Sequence, residues 1–289
     1  MMGPESTYPG YSNEQVTTPR AGAGSGRGIV AAMLVWVASQ SALVIGLLCF
    51  AWSYLMCAAI YGAVRFAARR GHEATFKAAS PVTLTPLAVI FGLLVGFLAA
   101  DVWPNFERAR ATVGQEALGL RQALLFAEAL APEERRLVRN GVQEHITHAV
   151  SVEWPAMAAG DHGPKSSGDE LGRVLTALLA DNHAGGNRRA AEEHTIRALE
   201  RALDAQRQRL FISQTSVSGI KWFVFMVLAG LIELTIAMIH VENRAIKVIT
   251  MLIFATAVAV STLLIMAYDR PFGGGVFVTP AALKDVLPR

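Results

Sequence analysis

Four long apolar runs set the frame of this chain, and its charged residues collect between them. The first run carries no charge from Gly28 to Val64 and stops at Arg65. As one helix it would reach roughly 55 Å, against a hydrocarbon thickness of about 30 Å. No Pro, Asn or Gly-Gly pair breaks it, and Ser39-Gln40-Ser41 is its polar interruption. This predicts one span from Gln40 to Tyr61, with a helical lead-in carrying Trp36. Trp52 and Tyr54 lie deeper than an interfacial aromatic belt, which predicts a protein-facing side for them. Arg65, Arg69, Arg70, His72 and Lys77 then make a basic loop.

The second run, Thr85 to Trp103, opens with Pro86 at a first helical position, where no amide partner is needed. Asp101 and Trp103 mark its exit. Gly92 and Gly96, four apart, have a spacing that lets membrane helices approach closely. The third run, Trp222 to Ile239, is entered through Lys221, and the fourth is Val248 to Tyr268. Only His240 to Lys247 separates these two, which forces an antiparallel hairpin.

Between the second and third runs, residues 104–219 turn charged but keep a helical period. Val113, Ala117, Leu120, Leu124, Ala127 and Ala131 form one apolar stripe. Pro132-Glu133-Glu134 starts a new helix, with acids where the dipole favours them. Val138, Val142, Ile146 and Ala149 are its stripe, and Trp154-Pro155 is expected to close it. Ala158 to Gly168 reads as a loop. A short helix carries Leu171, Val174, Leu175, Leu178 and Leu179, ending near Ala184-Gly185-Gly186. A last helix starts about Arg188, with Ile196, Leu199, Leu203 and Leu210 on one face. No proline separates it from the third run, so it is expected to continue into the bilayer.

The predicted fold is therefore all-α: an integral membrane protein with four transmembrane helices and a helical-bundle insert between the second and third. The expected divisions are a disordered tail over 1–28, whose Gly, Ser, Thr and Pro content cannot bury a core; the first two spans and basic loop over 29–103; the polar domain over 104–219; the hairpin over 220–268; and a terminal motif and tail over 269–289. Charged residues are 17% of the chain and hydrophobic ones 53%, against about a quarter charged in soluble domains. A net charge of +3 with no basic stripe gives no argument for nucleic acid, and no nucleic-acid partner is expected. Cys49 and Cys57 lie in one helix about 12 Å apart, too far for a disulfide.

Little of this carries catalytic chemistry. No nucleophile elbow, phosphate loop, Cys-x-x-Cys or dinucleotide fingerprint appears, so no enzyme, no catalytic residue and no cofactor are expected. Glu144-His145-x-x-His148 has a spacing that suits zinc, but no third ligand accompanies it and the segment reads as a solvated face, so no metal is assigned. His162, His183 and His194 read as surface. Glu192-Glu193 with Arg188, Arg189 and Arg197 reads as salt-bridging along one helix. Glu233 is different: a carboxyl in the middle of the third run costs several kcal/mol unless neutralised, paired or wetted, and it is a candidate intramembrane ionisable site. Its alternative is a protonated glutamate hydrogen-bonded to a neighbouring helix.

The fourth run ends in Asp269-Arg270-Pro271-Phe272-Gly273-Gly274-Gly275. Pro271 and the glycines stop a helix where water returns. A stop needs no particular acid, base or aromatic, so Asp269, Arg270 and Phe272 are expected to fasten the helix end to the insert or to a neighbouring subunit.

This motif, with Phe91 to Phe97, Trp103, Gln115-Glu116-Ala117 and Glu153-Trp154-Pro155, resembles the bacterial bestrophin-like membrane proteins. Bestrophins proper are pentameric anion channels whose last membrane helix precedes Pro-Phe-Gly and whose second membrane helix lines the pore neck. The resemblance implies a homo-oligomer in contact with membrane lipid, conducting a small anion, in the bacterial inner membrane. It also implies a cytoplasmic N-terminus, insert and C-terminus; the distribution of Lys and Arg does not decide orientation. Gly274-Gly275-Val276 stands where the animal proteins carry a calcium-binding acidic cluster, so calcium gating is not expected. Phe91, Leu94 and Leu98 fall on one helix face and form the candidate neck, a dewetting constriction; plain helix packing explains the same spacing. The alternative reading is a non-conducting scaffold that binds a partner through its insert.

Overall fold

A computed structural model describes residues 42–72, 81–160, 169–180, 187–241 and 243–287. The N-terminal tail, the Trp36 lead-in, Lys77, His162, His183 and Gly185-Gly186 lie outside them. The elements are α1 (Ala42–Ala67), α2 (Leu84–Ala127), α3 (Pro132–His148), α4 (Trp154–Ala159), α5 (Glu170–Ala180), α6 (Asn187–Ser213), α7 (Gly219–Ile239), α8 (Arg244–Tyr268) and α9 (Ala281–Lys284). The described residues contain no strand. Four helices, α1, α2, α7 and α8, are long and apolar enough to cross a membrane.

Several boundaries differ from those predicted. α1 continues past Tyr61 to Ala67 and then through a π-helical turn to His72, because the basic residues beyond Tyr61 are good helix formers. Trp52 is 56% exposed and Tyr54 39%, so neither is held inside the protein; the Tyr54 hydroxyl lies 3.0 Å from that of Thr256. Pro86 is the third residue of α2, after a 3₁₀ turn at Pro81–Thr83. α2 does not stop at the membrane surface. It runs through Pro104 for 44 residues, about 66 Å at 1.5 Å per residue, so one rod belongs to both halves of the molecule. α8 begins at Arg244, where Asn243 caps it by accepting the Ile246 amide at 3.1 Å, which shortens the hairpin loop.

Trp154-Pro155 does not close the second insert helix. A π-helical turn at Ala149–Glu153 leads into α4, and Gly160 at φ 69° ends it. Pro155 sits near the start of α4, where its missing amide costs nothing. α6 also fails to continue into the bilayer. It ends at Ser213, and Thr215 to Ser218 are non-helical before α7 begins. Ser and Thr hydroxyls here compete for backbone groups, as Ser213 Oγ does by donating to Leu210 O at 2.7 Å.

Two cores result. Phe91, Leu98, Val102, Phe225, Ile232, Met251, Val258 and Ile265 fill the membrane bundle. Leu120, Val138, Val142, Leu171, Val174 and Leu199 fill the insert, built from the polar half of α2 with α3, α5 and α6. α2 and α6 approach through Ala117, Gly119, Ala123, Ala198 and Ala202, all buried. A Cβ on Gly119 would stand 3.0 Å from Ala198 O and 3.1 Å from the Ala202 backbone nitrogen. Gly119→Val should therefore separate these rods and cost about 1–3 kcal/mol, read as a lowered Tm in detergent; an unchanged Tm would show that the contact yields.

Candidate functional site

The insert encloses a buried ionic knot on its side toward the end of the fourth span. Arg209, in α6, is completely buried, as are Glu116 of α2 and Glu153 at the end of the π-helical turn. Arg209 Nε donates to Glu116 Oε2 at 2.7 Å, and one terminal nitrogen donates to Glu116 Oε1 at 3.1 Å and to Glu153 Oε2 at 2.6 Å. Gln206 Nε2 donates to the other Glu153 oxygen at 2.7 Å. His145 of α3, also fully buried, sits 3.0 Å from Glu116 Oε1 through Nε2. His148 Nδ1 lies 3.8 Å from Glu153. The guanidinium is desolvated, but the two carboxylates more than compensate and hold Arg209 above its ordinary pKa.

The π turn explains how the knot is loaded. Its wide turn brings consecutive Glu153 and Trp154 both inward, at 0% and 7% exposure. The Trp154 ring then packs under Arg209, 4.9 Å from ring centroid to guanidinium carbon. Its Nε1 donates to Val278 O at 3.1 Å. Phe272 meets the same ring edge-on, centroids 5.6 Å apart at 88°.

The terminal motif thus touches the insert directly. Phe272 is 3% exposed. Asp269 caps α8 and its Oδ1 accepts the Val217 amide at 2.7 Å, in the non-helical link between α6 and α7. Arg270 stands beside Asp269, and its charge offsets part of the burial penalty on that carboxyl. Val278 N donates to Pro271 O at 2.7 Å, closing the turn. A Cβ on Gly273 would stand 2.5 Å from Ala158 O, so α4 packs onto bare glycine backbone. Above this turn Tyr268 stacks with Trp103 and Phe106, centroids 5.1 and 5.2 Å away, and Lys221 pairs with Asp101.

The remaining sequence candidates lie elsewhere. His145 is not on a solvated face; it is in the knot, because Glu116 offers it a partner across the bundle. Arg188 reaches Glu134 of α3 at 2.6 Å instead of pairing only along its own helix, whereas Arg197 and Glu193 do pair along α6 at 3.7 Å. Among the described residues no cluster of three metal-ligating side chains exists. Phe91 is packed on Phe225 and Phe254, at 5.2 and 5.7 Å, and Leu98 is 2% exposed. These two face the protomer's own core, with Leu94 half-buried. The open face of α2 in the membrane carries Val89, Ile90, Leu93 and Phe97, each more than half exposed. Glu233 is fully buried in α7.

Arg209 and Glu153 were not singled out from the sequence as a pair. The available signal was a charge occupying an apolar-face position: Glu116 falls within the Val113, Ala117, Leu120 stripe, and Arg209 within Ala202, Ala205, Ile212.

A bestrophin-like domain model matches residues 30–283, and the chain belongs to that family. Among solved structures it is similar to two point-mutant forms of a bacterial bestrophin homologue from Klebsiella pneumoniae. Both are 11% identical and cover 83% of this chain; they are covered over 96% and 97% of their own length, with TM-scores of 0.65 and 0.64. The form phased on zinc is 15% identical, with 83% and 95% coverage and a TM-score of 0.56. No curated protein matches in sequence. At such identities the likeness to solved structures concerns the fold.

Two outcomes follow from the knot and the cap. Arg209→Met strands two buried carboxylates and should cost about 3–5 kcal/mol, read as loss of the folded protein or a large drop in Tm; a near-normal Tm would contradict the pairing. Burial raises the Asp269 pKa, with the Val217 amide and Arg270 offsetting only part of the shift. The folded state therefore holds this proton to higher pH than the unfolded state, and the group's contribution to stability falls as pH rises from the ordinary aspartate range through the folded-state value. Asp269→Asn keeps an acceptor for Val217 and should gain in Tm relative to the parent as pH rises through that window; a pH-independent difference would contradict this.

Proposed function

We propose that this bestrophin-like protein is an oligomeric ion channel of the bacterial inner membrane, selective for small anions, with α2 of each copy facing the central axis. One observation carries the reading. Ile90, Phe97, Pro104, Ala111, Leu118 and Leu125 follow one another every seven residues along α2, and all six are exposed. Lipid covers such a stripe inside the bilayer, but Leu118 and Leu125, at 54% and 68% exposure, lie on the insert beyond Trp103. A seven-residue apolar repeat on a continuous helix is the pattern that packs against further helices. α2 also buries the smallest share of its apolar stretch, 11% against 22–33% for the other spans.

Within the membrane, Val89, Leu93 and Phe97 recur every four residues on the exposed side of α2. They replace Phe91 and Leu98 as the neck, a ring of apolar side chains that gates by dewetting. Past the membrane exit the exposed charges of the same helix are Arg108, Arg110 and Arg121 against Asp101 and Glu107; with Asp101 paired to Lys221, the excess is positive and concentrates anions at the mouth. The orientation consistent with this reading places the insert and both termini in the cytoplasm.

Purified protein in planar bilayers tests it. Anion-selective conductance is expected, with a reversal potential that follows a chloride gradient, and Leu93→Ala with Phe97→Ala should raise conductance or hold the channel open. An assembled oligomer with no conductance would leave the scaffold reading, in which the insert binds a partner.

A further inference from the structure

We propose that Glu233 is a proton-binding site in the membrane core, loaded and unloaded from the hairpin end of the bundle. Its carboxyl is fully buried, and neither oxygen has a hydrogen-bond partner. Glu233 lies six residues from the end of α7 at Ile239 and fourteen from its start at Gly219, about 9 and 21 Å respectively at 1.5 Å per residue. The carboxyl is therefore nearer the hairpin than the insert. The surrounding helices supply no compensating charge at its depth. α2 has no titratable residue from Leu84 to Ala100, α7 has none other between Lys221 and His240, and α8 has none between Lys247 and Tyr268. From α1, the Cys57 thiol lies beside the carboxyl.

From the level of the carboxyl, Cys57 and Tyr61, four apart on one face of α1, lead toward the hairpin. Cys57 is buried, with Ser53 one turn deeper toward the insert, and Tyr61 reaches the hairpin, where Arg244 Nε donates to its hydroxyl at 3.1 Å. Lys247, 5% exposed, lies over the Tyr61 ring at 5.1 Å. Toward the insert, the same core is closed by Phe225, Ala229 and Ile232. An acidic group with unused oxygens, set between a polar file and an apolar seal, takes a ligand that needs no cage. A proton fits, since a metal ion would require further oxygen ligands. In the loaded state the proton sits on a Glu233 oxygen; on release it leaves toward Tyr61 and the aqueous hairpin end, and the carboxylate remains. The site is internal to one protomer and does not depend on ion conduction along α2.

Infrared pH-difference spectroscopy of the full-length protein in lipid reads this directly. The wild-type-minus-Glu233→Gln spectrum should carry the carbonyl stretch of a protonated carboxyl in acid, and that component should be lost on alkaline titration. Mass mapping of wild-type protein treated with a membrane-permeant carbodiimide, which needs no variant, should find Glu233 modified, with the modification falling away as pH rises. A wild-type-minus-Glu233→Gln spectrum with no such component, a component unchanged through the titration, or an unmodified Glu233 would each overturn the proposal. Retained bilayer conductance alongside any of these would leave the channel reading standing.

Discussion

The buried guanidinium of Arg209 is the constraint on which the rest of the structure depends. It lies between carboxylates from α2 and from the turn before α4, and its own helix, α6, leads toward the third span. A charge with no access to water must be surrounded by matched acceptors, and here these come from separate elements. The insert therefore has one way to close around it. Trp154 lies against that guanidinium on one side and Phe272 on the other, so the end of the fourth span is registered to the same point.

α2 transmits this registration. Its membrane half packs on α7 and α8 through Phe91 and Leu98, and its polar half holds Glu116. Because the helix is unbroken at Pro104, the membrane face of α2 and the ionic knot are fixed on one rod. The second face of that rod is left exposed at Ile90, Phe97, Pro104, Ala111, Leu118 and Leu125.

The spans were legible in the sequence because a bilayer demands long uncharged runs, and Trp222 to Ile239 or Val248 to Tyr268 satisfy nothing else. Their ends were less so. Arg65 looked like a terminator yet sits inside α1, and Pro104 looked like a boundary yet sits inside α2, because neither residue stops a helix on its own. His145 is buried, not solvated: its partner Glu116 lies 29 residues earlier in the chain. Such pairings depend on how the helices cross, which local periodicity does not encode. Phe91 and Leu98 likewise pack inside the protomer, while Ile90, Leu93 and Phe97 stay open. Both faces of α2 are apolar in the membrane, so spacing alone could not tell the packed side from the open one.

In the proposed oligomer the open stripe of α2 faces the same stripe of neighbouring copies. Single cysteines at Phe97 and at Leu118, in a background with Cys49 and Cys57 replaced by serine, test this in native membranes. Oxidation should link protomers through both positions and yield covalent dimers. Absence of any cross-link from Leu118, with the protein folded and membrane-bound, would contradict it.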